Sequence, residues 1–187
     1  MGVSETPTRS SSRRQLAFRA VLELRDARPG DEPAVGEVHV RAWKQAYRGL
    51  LPGDYLDALR PEHRIAGYRF AGEAPPHTLL AIESGLLLGF ATFGPARDAD
   101  AQGAGELFAL YVDPDSWRGG AGRALLAAAR GRLHADGHEQ AILWVLEGNV
   151  PAERFYEADG WRRDGASRWE DPWGVRSRVL RYRRALP

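Results

Sequence analysis

The sequence predicts a mixed α+β, three-layer domain whose sheet is partly parallel at its centre. Three observations lead there. Apolar spacing alternates along the chain between a period of two and a period of 3.6. The resulting order is β, α, α, β, β, β, α, β, α, β, β, and its strand–helix–strand units need crossover connections between parallel strands. With 187 residues, 43% hydrophobic and 27% charged, the chain suffices for one core and hardly for two.

Val21 to Arg25 alternates as a half-buried strand, and Pro29-Gly30-Asp31 supplies a turn and a helix start. Ala34, Val35, Val38, Ala42, Trp43 and Ala46 recur at helical spacing, giving one amphipathic helix to about Tyr47. A shorter helix opens at Asp54, and Pro61 to Phe70 can hold another. Thr78 to Ile82 and Leu86 to Phe93 form a hairpin across Glu83-Ser84-Gly85. Pro95 to Gly105 is polar and reads as a loop, after which Leu107 to Val112 returns to strand. Helical spacing resumes from Gly120 to Leu133, followed by a buried strand at Ala141 to Leu146 and a short helix at Val150 to Ala158. Trp161 to Arg163 and Arg176 to Arg183 complete the sheet, with Trp169 to Gly174 as the loop between them. Met1 to Arg19, rich in Ser, Thr and Arg, is expected to be a disordered tail ahead of a single domain at 20–187.

Composition removes several functions. Without cysteine there is no disulfide scaffold, thiolate nucleophile or Cys-based metal site. His134 and His138 are four apart, but Gly137 ends the helix between them, so no metal site is expected there. Of 26 basic residues 25 are arginine and one is Lys44, yet the net charge of +1 does not suggest a polyanion partner. Arg176, Arg178, Arg181, Arg183 and Arg184 alternate with Val179, Leu180 and Tyr182, which reads as a solvated strand face rather than a nucleic-acid footprint. No apolar run reaches membrane-spanning length and no leader stands at the N-terminus, so a cytoplasmic protein with no membrane or nucleic-acid partner is expected. His39 and His63 read as surface histidines.

The segment with most chemistry is Tyr111 to Leu126, where a strand ends, Trp117-Arg118-Gly119-Gly120-Ala121-Gly122-Arg123 turns, and a helix begins. Glycines let amides crowd together, and the helix start adds free N–H groups and a positive dipole end, which together suit a phosphate. Gly122 is followed by Arg123-Ala124, not Lys-Ser/Thr, so it is no Walker loop. Leu125 stands where a dinucleotide fold needs its third glycine.

About thirty residues on, Asn149-Val150-Pro151-Ala152-Glu153-Arg154-Phe155-Tyr156-Glu157-Ala158-Asp159-Gly160-Trp161 makes the resemblance specific. The chain resembles the GNAT superfamily of acetyl-CoA-dependent N-acetyltransferases over about Val21 to Leu186. It matches that family's Asn-x-x-Ala-x-x-Phe-Tyr-x-x-x-Gly-Phe motif at Asn149, Ala152, Phe155, Tyr156 and Gly160, with Trp161 as the final aromatic. The pyrophosphate-loop motif is matched at Gly120 and Gly122, while Trp117 occupies its Arg/Gln position beside Arg118.

The resemblance implies a mostly antiparallel sheet with one splayed parallel strand pair, and acetyl-CoA as acyl donor. Leu110, Tyr111 and Val112 would pair with pantetheine from a bulged strand. Amides of Arg118, Gly119, Gly120, Ala121, Gly122 and Arg123 would hold pyrophosphate, and Asn149 the pantetheine arm or a water. Tyr156 would be the acid that protonates the leaving sulfur, and Glu106 the base at the start of its strand. Trp43, Tyr47, Trp169, Glu170, Asp171 and Trp173 would line the acceptor cleft, where rings and carboxylates suit a cationic amine. The acceptor is left open between a small primary amine and a protein N-terminus or lysine. A GNAT-like module that binds acyl-CoA without turnover is the alternative of another class, and the fold often pairs as a homodimer.

Overall fold

The computed structural model describes residues 21–72, 74–171 and 175–186; the tail at Met1 to Arg19 and Trp173 lie outside them. A single seven-stranded sheet runs in the order β1-β2-β3-β4-β5-β7-β6. Its strands are β1 (Glu23–Asp26), β2 (His77–Glu83), β3 (Leu86–Pro95), β4 (Gly105–Val112), β5 (Gln140–Leu146), β6 (Arg162–Glu170) and β7 (Ser177–Ala185). The helices are α1 (Glu32–Ala46), α2 (Gly53–Ala58), α3 (Glu62–Ile65), α4 (Ala121–Ala135) and α5 (Val150–Ala158). Every sheet neighbour is antiparallel except β4 and β5. That exception is forced, because α4 crosses over between them.

Each face of the sheet carries its own helix layer. On one, α4 sets Ala121, Leu125, Leu126, Ala129 and Leu133 against Leu79, Phe93, Leu107, Leu143 and Tyr182. Gly105 permits the closest approach, since a Cβ there would stand 2.7 Å from the Leu133 side chain. On the other face, Val35 and Val38 of α1 pack on Leu80 and Phe90. Val40 and Trp43 pack with Leu51 and Leu56, which brings α2 alongside α1.

β1 and β6 depart from the sequence reading, and α3 and the place of β7 are finer than it. The third helix is only Glu62–Ile65, too short to extend to Phe70. The first strand is displaced to Glu23–Asp26, because its pairing with β2 and not local alternation sets its bounds. Trp169 and Glu170, expected in a loop, lie in β6, with Trp169 opposite Arg178 and Glu170 opposite Ser177. Trp161 itself precedes that strand and is fully buried. Finally, β7 inserts between β5 and β6, an order that no local pattern encodes.

Candidate active site

The decisive geometry is in the parallel pair. Gly105, Glu106 and Leu107 face Ala141, Ile142 and Leu143, and there the ladder stops. On the opposite side of β4, Thr92 faces Ala109 while Phe93 faces Leu107, so Phe108 is an extra residue in the strand. A bulge bends its strand and increases local twist, and here it turns β4 away from β5. The consequence is visible in exposure: Gly105 to Leu107 are buried, whereas Phe108 to Val112 are half-buried, with free backbone groups facing the gap. A strand edge of this kind accepts an extended ligand by backbone pairing.

Beyond Val112 the chain enters the glycine-rich turn. Asp113 caps a short 3-10 turn by accepting from the Asp115 amide. Trp117 folds back and donates its indole N–H to the Val112 carbonyl at 2.8 Å. The residue at the Arg/Gln position of the motif therefore pins the strand end to the loop. Gly120 caps α4 with φ of +97°, a conformation only glycine adopts without strain. The first intrahelical bond runs from Ala124 to Gly120, which leaves the amides of Ala121, Gly122 and Arg123 pointing out of the helix end. This is an anion cradle adjoining a strand gap, and it fits a long ligand with a phosphate group along it. Arg41 of α1 clamps the turn from the other layer, reaching Asp113 at 2.7 Å and Asp115 at 2.7 Å.

On the far side of the gap, Asn149 is the N-cap of α5, and its side-chain oxygen accepts from the Ala152 amide at 3.3 Å. The cap is buried and fixes the first turn of α5. That helix carries Tyr156, whose ring meets Phe155 at 5.2 Å and Trp161 at 6.2 Å. Burial, and then the neighbouring Tyr111, push its phenol well above the ordinary range. Tyr111 is the centre of a wider aromatic cluster, stacked on His39 and flanked by Trp43 at 6.4 Å and Phe90 at 5.7 Å. Tyr47 and Tyr111 interact through their hydroxyls, and burial pushes the Tyr47 phenol well up. Tyr47, Tyr111 and Tyr156 thus converge from α1, β4 and α5 where the sheet opens.

Glu106 sits where the ladder ends. It is 5% exposed, and one carboxylate oxygen, Oε2, accepts from the Arg97 amide at 3.1 Å. Burial raises its pKa, and Asp98 adds to the rise.

The acceptor-side residues are placed unequally. Trp43, expected to line the acceptor cleft, is buried under the Arg64 guanidinium, which lies 4.6 Å from its ring centre. Trp169 is 60% exposed with Arg176 at 5.0 Å, and Asp171 is exposed beyond it. Glu170 pairs with Arg168.

Sequence reasoning missed His39. Expected at the surface, it is buried, with Nδ1 2.7 Å from the Tyr68 hydroxyl and its ring on Tyr111. The signal was its i, i+4 register with Val35 and Trp43. Arg181 was likewise expected on a solvated face but is buried, because the 96–104 loop folds over that face. It bonds Asp100 at 2.7 Å and Asp164 at 2.7 Å. His63 is exposed, and His138 is occupied with the Gly103 carbonyl. Among the described residues no cluster of His, Asp or Glu could hold a metal, and no helix is long and apolar enough to cross a membrane.

This gap and cradle agree with the fold of the acyl-transfer enzymes that the chain resembles. Residues 32–161 match the acetyltransferase (GNAT) family, and the chain belongs to it. It is an acyltransferase, with acetyl-CoA as the donor. The chain is 34% identical over 143 residues to the uncharacterized N-acetyltransferase YuaI of Bacillus subtilis, covering 74% of this chain and 79% of that one. It is 35% identical over 140 residues to a mycothiol acetyltransferase of Saccharopolyspora erythraea, 73% of this chain but 42% of that protein. The solved N-acetyltransferase of Staphylococcus aureus Mu50 has the same fold, with a TM-score of 0.69 at 18% identity over 89% of this chain and 99% of that one.

Proposed function

We propose that the protein acetylates a primary amine by direct attack in a ternary complex, with Glu106 as base and Tyr156 as acid. The observation that carries this reading is the parting of β4 from β5, with a buried carboxyl at its closed end and a half-buried phenol on its flank. Acetyl-CoA, when bound, supplies an activated acyl group and a thiolate leaving group. The cradle of Gly120, Ala121, Gly122 and Arg123 would hold its pyrophosphate, the Leu110–Val112 edge its pantetheine, and the Asn149 NH2 the same arm.

An alkyl amine, with a pKa near ~10, must shed a proton before it can attack. Arg97 holds Oε2 of Glu106, so Oε1 is the atom that takes that proton, directly or through a water. Burial raises the carboxyl's affinity for the proton and makes it a stronger base than an exposed carboxylate. Tyr156 keeps its own proton at neutral pH. Its hydroxyl would hydrogen-bond the thioester sulfur and protonate it as the C–S bond breaks, and the second proton of the attacking nitrogen would return to the phenolate as the amide forms. No enzyme nucleophile is needed, in keeping with a chain lacking cysteine. The aromatic cluster would exclude water and orient the amine.

The test is thiol release from acetyl-CoA with a panel of probe amines: tyramine, spermidine, free lysine, and peptides with free N-termini. Turnover with the small amines supports the reading, and turnover with the peptides alone replaces the acceptor by a protein. Acetyl-CoA binding without turnover on any of them would replace the reading by a non-catalytic module.

A further inference from the structure

The carboxyl assigned as base is not held by its own strand. Its neighbours across the sheet, Gly94 on β3 and Ile142 on β5, carry no charge. What holds it is the 96–104 loop, through the Arg97 amide, and the same residue lays its guanidinium 4.1 Å from the ring centre of Phe108, the bulge residue. The next residue anchors the loop. Asp98 accepts from the Trp144 indole at 3.0 Å and pairs with Arg168 of β6 and with Arg181 of β7, the latter at 3.5 Å. Arg168 has a second commitment: its Nε donates to Glu170 at 2.8 Å, and its guanidinium stacks 4.0 Å from the Trp144 ring centre. One planar fork therefore ties the loop that grips Glu106 to the carboxylate at the acceptor rim, across 70 residues of sequence.

We propose that Arg168 and Asp98 are positioning residues for Glu106: together they lock the loop that presents its carboxyl, and Arg168 connects this lock to Glu170. The inference rests on the reading of Glu106 as base. An arginine suits the post because its fork reaches two carboxylates at once while its face lies on an indole. Electrostatics assigns the two partners opposite effects. The charged groups acting on Glu106 are Arg97, Asp98 and Arg168; Asp98 raises its pKa, and Arg168 and Arg97 lower it. These opposite effects report that both charges reach the carboxyl, whereas the lock itself is read in turnover, where breaking it from either side gives the same loss.

The experiment follows the Glu106 carboxyl by 13C NMR on the full chain labelled at glutamate Cδ, its resonance assigned by its loss in Glu106→Gln. Arg168→Gln should move the titration midpoint up and Asp98→Asn should move it down, each by about half a pH unit or more. Arg168→Lys, which keeps the charge but loses the fork, should recover part of the shift. Asn at 98 can still accept from Trp144, and Arg168 is 40% exposed, so both variants should fold. Both variants should also lose kcat about tenfold with KM unchanged, Arg168→Lys regaining part of it; wild-type kcat in both would overturn the positioning role while leaving the base reading intact. Unchanged turnover of Glu106→Gln on the best probe amine would overturn the base reading, and the positioning role with it.

Discussion

The imidazole of His39 lies nearly flat on the phenol of Tyr111, with 4.7 Å between ring centres and 16° between planes. One comes from α1 and the other from the half-open part of β4, so their stacking ties the helix layer to the strand that leaves the parallel ladder. Burial, and then the Arg64 charge, lower the pKa of His39 from 6.5 to about 3. The native state thus refuses a proton that the unfolded chain accepts. Between pH 6.5 and about 3 the unfolded state binds more protons, so stability falls as pH falls through that window. His39→Gln should flatten this part of the pH–Tm curve, removing a dependence of a few kcal/mol in order of magnitude. A mutant curve parallel to wild type would show that His39 is not the group responsible.

Gly120 and Gly122 separate backbone strain from ligand access. A side chain at Gly120 meets no protein atom but must adopt φ of +97°, whereas a Cβ at Gly122 would stand 3.5 Å from Val112 and 3.6 Å from Phe155, in ordinary contact. Gly120→Val should cost about 1–2 kcal/mol in the folded protein and weaken acetyl-CoA at least tenfold by misdirecting the amides. Gly122→Ala should leave Tm unchanged, so a loss of affinity by calorimetry reads only the ligand's approach. Wild-type affinity in both variants would make the loop a structural turn.

What the sequence reveals about the site follows the range of the interactions involved. Asn149 is legible as a cap, and Gly120 as a turn, because each acts on residues within four positions. Glu106 is legible as a position at a strand start, but its bond from Arg97 and the tie of the next residue, Asp98, to Arg168 are not. Those contacts depend on β7 inserting between β5 and β6 and bringing β6 beside the loop. Arg181 was misread for the same reason. Arg178 and Arg181 are three apart and so lie on opposite faces of β7, and no alternation shows that a loop covers the face of Arg181.

The pH dependence of turnover follows from the direction of the Glu106 shift. Because burial raises its pKa, the acidic limb of kcat/KM should lie above the ordinary carboxylate range, and rate should rise with pH as the proton leaves. Glu106→Gln should lower kcat by roughly 10²- to 10⁴-fold and abolish that limb. With one amine throughout, the acceptor's own titration is constant. A limb that survives in the mutant belongs to the amine, and the base must then be sought elsewhere.

Tyr156 tests the other half of the chemistry. Its ring packs against Phe155 and Trp161, so Tyr156→Phe keeps the shape and removes only the hydroxyl. If that hydroxyl protonates the sulfur, kcat should fall by about 10²-fold or more, while acetyl-CoA affinity and Tm hold. The loss should be smaller with a thioester whose leaving thiol is more acidic, because a better leaving group needs less help from an acid. A uniform loss across thioesters of differing thiol pKa would place Tyr156 in the wall of the site instead. A fall in affinity with kcat unchanged would give its hydroxyl a binding role alone.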